Sequence, residues 1–141
     1  MRRLTNLQPS RTIAVLAFLA ATSTVASLVA NRIKRSALNN SLVAAIKGNE
    51  TSRSLALLSQ GADPDVLDDD NDPFPWSMLT IAVKNRNAAI VTALLDRHAR
   101  VNRGAGCGPN ELTYAKQAKM APEVERLVKL GCHENAAEGC M

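Results

Sequence analysis

Apolar positions follow two different rules along this chain. Between residues 13 and 30 they are nearly continuous. The run IAVLAFLAATSTVASLVA carries no charge and is interrupted only by Thr22, Ser23, Thr24 and Ser27. After residue 36 they come in short bursts at helical spacing. Leu79, Ala82 and Val83 stand at i, i+3 and i+4, and Ile90, Val91, Leu94 and Leu95 repeat the pattern. That is the signature of one buried helix face. Turn-forming polar, Gly and Pro residues separate the bursts. The pattern predicts an all-α chain in which one hydrophobic helix precedes a set of short amphipathic ones.

The bursts recur. Leu57-Leu58-Ser59-Gln60-Gly61-Ala62-Asp63-Pro64-Asp65 aligns with Leu94-Leu95-Asp96-Arg97-His98-Ala99-Arg100-Val101-Asn102, and then with Leu127-Val128-Lys129-Leu130-Gly131-Cys132-His133. The offsets are 95 − 58 = 37 and 128 − 95 = 33. A second register, Ala44-Ala45, Ala82-Val83 and Ala115-Lys116, gives 82 − 44 = 38 and 115 − 82 = 33. Leu79-x-x-Ala82 and Leu112-x-x-Ala115 share the second spacing. A helical unit of this size cannot bury its own apolar face, so the units are expected to stack. Small alanines at 44, 82 and 115 would let neighbouring inner helices approach closely.

These residues resemble the ankyrin repeat, whose period is about 33 residues. Gly61-Ala62-Asp63-Pro64 sits where that family has its G-A-D-x-N turn, and Val101-Asn102 matches the end of the same turn. Ser77-Met78-Leu79-Thr80-Ile81-Ala82 stands in place of T-P-L-H-x-A, and Gly108 in place of the hairpin glycine. The resemblance covers roughly residues 37 to 133. It departs from the family at His98 (for the turn glycine), Pro75 (for a hairpin glycine) and Glu123 (at an apolar position). The first unit has one residue too many between Gly48 and Gly61, and the spacer between the first two units is about four too long. The resemblance implies helix–turn–helix–loop units over about 37–66, 77–103 and 111–133, behind an N-terminal segment 1–35 and before a flexible tail 134–141. Pro122 suits the first turn of the third outer helix. Gly61 and Gly131 suit helix C-terminal turns of positive φ.

Charge separates the two parts of the chain. Before Glu50 stand Arg2, Arg3, Arg11, Arg32, Lys34, Arg35 and Lys47, and no acid. From Glu50 onward the basic side chains number 17 − 7 = 10, against 13 acidic ones. The overall +4 therefore belongs to the N-terminal segment. The repeat region lacks the basic surface that nucleic-acid binding requires. A helix as long as the uncharged run spans about 27 Å, enough for a hydrocarbon core. The segment reads as a single-pass membrane anchor. The alternatives are a signal peptide cleaved after Ala26, an organelle presequence, or a buried helix. Basic residues flank it on both sides, so its orientation stays open.

Candidate chemistry gathers between the first two units, where Asp63, Asp65, Asp68, Asp69, Asp70 and Asp72 precede Phe74 and Trp76. In the family that the repeats resemble, loop tips and the inner-helix surface bind partners. The residues implied for a protein partner, a basic one in particular, are Asp68, Asp69, Asp70, Asp72, Phe74 and Trp76, with exposed inner-helix side chains Thr80, Lys84, Thr113 and Gln117. The carboxylates would steer it and the aromatics anchor it. The plainer alternative is a solvated acidic loop whose aromatics cover a helix joint.

Asp68-x-Asp70-x-Asp72 opens like an EF-hand, but Pro73 and Leu79 stand where Gly and Glu are needed, which leaves only an irregular weak calcium site. Cys107, Cys132, His133 and Cys140 match no standard zinc spacing, and Cys132 stands at a small buried position. An odd number of cysteines closes no disulfide framework. The glycine-rich stretch 104–108 reads as the second hairpin loop, since no strand precedes it and no P-loop lysine follows. Asn39 and Asn49 begin N-glycosylation patterns, which matter only in a secretory lumen. No nucleophile elbow or metal-helix motif occurs. The expectation is a non-enzymatic adaptor, membrane-tethered or exported, with no cofactor and no small-molecule substrate. An envelope accessory protein without a dedicated partner, or a small metal- or thiol-active protein, stays open.

Overall fold

A computed structural model of the chain describes the backbone of residues 10–68, 75–103 and 109–133, and side chains from residue 24 onward. The chain divides into two compact units, Met1–Lys34 and Arg35–Met141.

The described part of the first unit, residues 10–34, is helical. Helix α1 (Ser10–Lys47) contains neither Gly nor Pro, so nothing in its sequence breaks it. Side chains 24–34 are all exposed, Val25, Leu28, Val29 and Ile33 among them. Among the described residues no helix is long and apolar enough to cross a membrane. The side chains of residues 13–23 lie outside the described residues.

The second unit takes the end of α1 and adds α2 (Thr51–Ser59), α3 (Met78–Lys84), α4 (Ala88–Asp96), α5 (Glu111–Gln117) and α6 (Ala121–Lys129). The only strands among the described residues are β1 (Leu67–Asp68) and β2 (Trp76–Ser77), paired antiparallel with Leu67 opposite Ser77 and Asp68 opposite Trp76. The fold class is thus all-α, with a very short strand pair that the hydrophobic pattern does not predict. Inner helices α3 and α5 pack on each other. Each also packs on its own outer helix, α4 or α6, while α4 lies between α2 and α6. One core runs through the unit, from Leu42 and Ile46 through Leu79, Val83 and Leu94 to Leu112 and Leu127.

Backbone turns carry the repeat more faithfully than side chains do. Positive φ occurs at Asn49, Arg86 and Lys119 after the inner helices, and at Gly61, His98 and Gly131 after the outer ones. Both sets show the same two offsets, first 37 (86 − 49 and 98 − 61) and then 33 (119 − 86 and 131 − 98). Each closes with the same hydrogen bonds. Glu50, Asn87 and Met120 N–H groups donate to the carbonyls of Ala45, Ala82 and Ala115, and Ala62, Ala99 and Cys132 donate to those of Leu57, Leu94 and Leu127. These bonds satisfy helix-end carbonyls that would otherwise be orphaned.

The first unit's register changes accordingly. Asn49 rather than Gly48 takes the left-handed position, so Ala45 is the equivalent of Ala82 and Ala115. All three are fully buried, whereas Ala44 is exposed. The supposed insertion before Gly61 disappears, because the two turns are spaced alike in every unit (61 − 49, 98 − 86 and 131 − 119 all give 12).

Non-glycine residues in this region bear a steric cost that glycine avoids. Replacing His98 or Arg86 with Gly is expected to stabilise the protein by about 0.5–1 kcal/mol. Gly61→Ala should destabilise it by about 1 kcal/mol, although no atom stands within 4 Å of an added Cβ. Urea midpoints read all three changes.

Side-chain oxygens start the later helices. Ser77, Asn87 and Asn110 accept from the N–H groups of Thr80, Ile90 and Thr113, the usual N-cap arrangement. Pro122 stands in the first turn of α6, where its missing donor is harmless. An Asx ladder ties the units together. The N–H groups of Arg100 and His133 donate to the side chains of Asp65 (2.7 Å) and Asn102 (3.2 Å) in the preceding layer, and within the first layer the Asp63 N–H donates to Asn39 (2.9 Å).

Candidate partner-binding face

The hairpin and the inner helices form one surface, and two lysines at equivalent positions hold it. Lys47, at the end of α1, meets Asp68 on β1 at 2.9 Å. Lys84, its counterpart one repeat later at the end of α3, sits over the Trp76 ring on β2, 4.4 Å from its centroid. Trp76 also meets Tyr114 of α5, with centroids 6.1 Å apart and planes tilted by 31°. The aromatic pair and the cation over it fix a half-buried platform.

The sequence-predicted residues separate into three groups. Trp76, Lys84 and Asp68 come together on this surface, and Gln117, one repeat after Lys84, is exposed on α5. Asp69, Asp70, Asp72 and Phe74 lie outside the described residues, as do residues 104–108 with Cys107, and the tail 134–141 with Cys140. Thr80 is buried instead: the resemblance implies an exposed side chain, but only 1% of it is accessible. The stacking of α5 on α3 covers it, and its hydroxyl lies 2.8 Å from Ser77 Oγ and donates to Glu111 Oε2 at 3.3 Å. Thr113, its equivalent on the last inner helix, is half-buried, and its hydroxyl donates to Asn110 Oδ1 at 3.2 Å.

The described carboxylates serve the fold. Asp65 accepts from the Arg100 backbone and pairs with the Arg100 and Arg103 guanidinium groups at 3.2 and 3.8 Å. Asp63 turns back to accept the Asp65 N–H at 2.9 Å. Asp68 is tied to Lys47. A run of aspartates read as a steering field thus contains, at Asp65, a strut between layers and, at Asp68, a tie from β1 to the end of α1.

Beneath the face lies a polar network that the sequence does not announce. Glu111 is fully buried at the start of α5, where its carboxyl accepts from Thr80 and from the Asn102 N–H. Asn110, also fully buried, caps α5 and donates to the His133 carbonyl. Asn102 Nδ2 donates to the Gly131 carbonyl at 3.0 Å. No buried side-chain nitrogen or oxygen among the described residues lacks a partner. Tyr114 is absent from the sequence-predicted set, yet the repeat marks it. It is the counterpart of buried Ile81 one unit later, where an apolar position becomes aromatic.

Cys132 occupies the small buried position equivalent to Ala62 and Ala99. Burial first, and then the Glu111 carboxylate beside it, push its thiol from 9.0 up to about 12. A raised folded value means that the protonated thiol's contribution to stability is complete below pH 9 and is lost as pH rises toward 12. In a C107S/C140S background, Cys132 is expected to resist iodoacetamide at about pH 8 and to react only after denaturation. Fast alkylation of the folded protein would contradict its burial. Among the described residues no group of three or more His, Cys, Asp or Glu side chains could hold a metal ion.

No protein-family model and no curated protein sequence matches the chain. Its functional reading therefore rests on its own residues.

Proposed function

We propose that this chain is a short ankyrin-type repeat protein, tethered to a membrane by its N-terminal segment, that binds a protein partner rather than catalysing a reaction. The observation that carries the reading is the recurrence of two left-handed turns at matching offsets in three consecutive helix pairs. This is the layout expected of a stack that presents its inner helices and hairpin side by side. The recognition surface centres on Trp76, Lys84, Tyr114 and Gln117. A rigid aromatic pair with a cation and an amide around it is a suitable anchor for a partner side chain. The acidic residues Asp69, Asp70 and Asp72 lie outside the described residues, and their contribution is expected from their charge alone, which governs encounter more than affinity.

Photo-crosslinking amino acids placed at Lys84 or Gln117, and as a control at Thr92 on outer helix α4, test this in cells. The expected result is one saturable adduct from the inner-face positions and none from Thr92. Equal, diffuse labelling from all three would refute a dedicated partner and favour an accessory protein without one.

A further inference from the structure

The end of the first unit places charge on opposite sides of a helix whose apolar side chains have no cover of their own. Val25, Leu28, Val29 and Ile33 are 59%, 66%, 51% and 66% exposed. Arg32 and Lys34, also exposed, close the unit. At about 100° per residue, Arg32 points along the same stripe as these apolar side chains, and Lys34 points about 200° away from Arg32. A helix lying flat on a membrane would keep its cations on one face, opposite the apolar one. Cations on both sides, immediately after an uncharged run, instead suit a helix that enters the bilayer end-on and stops where it leaves. No acidic residue occurs before Glu50, so nothing in this stretch offsets the positive charge.

We propose that Arg32 and Lys34, with Arg35 next in sequence, form a cationic collar that gathers anionic lipid headgroups around the point where the anchor leaves the membrane. This rests on the membrane-anchor reading and adds the lipid class and the residues that select it. Each guanidinium or ammonium group can bind a phosphate oxygen directly, and basic residues beside a membrane surface are attracted to anionic lipid. Exposed aliphatic side chains just before the collar would sit in the acyl layer and hold the cations at headgroup depth.

The test uses the full chain with Cys107, Cys132 and Cys140 replaced by Ser and Ser36 replaced by Cys to carry a fluorophore. Protein is reconstituted into phosphatidylcholine vesicles containing some phosphatidylglycerol, with a headgroup spin label on one lipid or the other. The expected result is quenching about fivefold stronger from labelled phosphatidylglycerol, lost in the R32Q/K34Q/R35Q variant and in high salt. Equal quenching by both lipids would overturn the collar and leave the anchor intact, because the protein still floats with the vesicles. A preference that survives in the triple variant would overturn it too, placing the selectivity elsewhere. Failure to float with either vesicle would overturn the anchor reading and the collar with it.

Discussion

Replacing Leu94 with Ala is expected to destabilise the protein by about 3 kcal/mol, in the range for a fully buried leucine whose site cannot collapse. Leu94 has no accessible surface, and its helix lies between α2 and α6. It also belongs to the turn that ends its own helix, because its carbonyl accepts the Ala99 N–H at 3.0 Å. In a stack each unit is stabilised largely by its neighbours, so loosening the middle one withdraws support from both sides. A unit of this size has only about 5–10 kcal/mol to lose. The control is Val128→Ala. Val128 is the counterpart of buried Leu95 one unit later, yet it is 53% exposed because no further unit covers α6 among the described residues. That change should cost less than about 0.5 kcal/mol. Urea unfolding followed by far-UV circular dichroism measures both. Similar costs at the two positions would mean that the stack does not bury α4 as described.

Glu111→Ala should cost about 2–4 kcal/mol by a different route, because it leaves the Asn102 N–H without its acceptor, removes one of the Thr80 hydroxyl's two partners and opens a cavity at the start of α5. Glu111→Gln keeps most of the volume and one acceptor oxygen, so a smaller loss, about 1–2 kcal/mol, is expected. The same variant separates the causes that act on Cys132. Removing the carboxylate should bring the thiol down from about 12, while burial, the larger cause, keeps it above 9.0. The pH dependence of alkylation reports that change independently of stability.

Much of the fold is legible because the repeat imposes itself on small and apolar positions. The Leu57, Leu94 and Leu127 register predicts outer helices that pack as expected, and Pro122 and Gly131 mark the two ends of α6. In the first unit the sequence pattern sets the inner helix one position out of register. Two adjacent alanines and a nearby glycine offer a plausible match, whereas the structure puts the left-handed turn on Asn49. Tolerance of positive φ would favour Gly48, yet Asn49, like Arg86 and Lys119, takes the left-handed position, because the turn follows the helix face that buries Ala45 rather than Ala44. Repeat logic also predicts equivalence without saying where the stack ends. Thr80 and Thr113 look alike in sequence, yet one is sealed by the next layer and the other is only half-covered.

The candidate site is legible in part. Lys84 and Gln117 are exposed and Trp76 is half-buried, but the aspartates Asp65 and Asp68 are engaged with Arg100, Arg103 and Lys47. Composition counts charges and cannot tell which of them face one another across a whole unit of intervening chain, as Asp65 and Arg100 do. Glu111 escapes notice for the opposite reason. A single carboxyl in the first turn of a helix looks like an ordinary surface residue, and only the stacking of α5 on α3 buries it.

The single register shared by the three helix pairs is tested most directly by backbone NMR of the full chain in detergent micelles. Left-handed conformations are expected at Asn49, Arg86 and Lys119, and again at Gly61, His98 and Gly131. Their Cα and carbonyl shifts and HN–Hα couplings should depart together from helical values. Helical shifts continuing through Asn49 or His98, or left-handed residues at other spacings, would contradict the three-unit register.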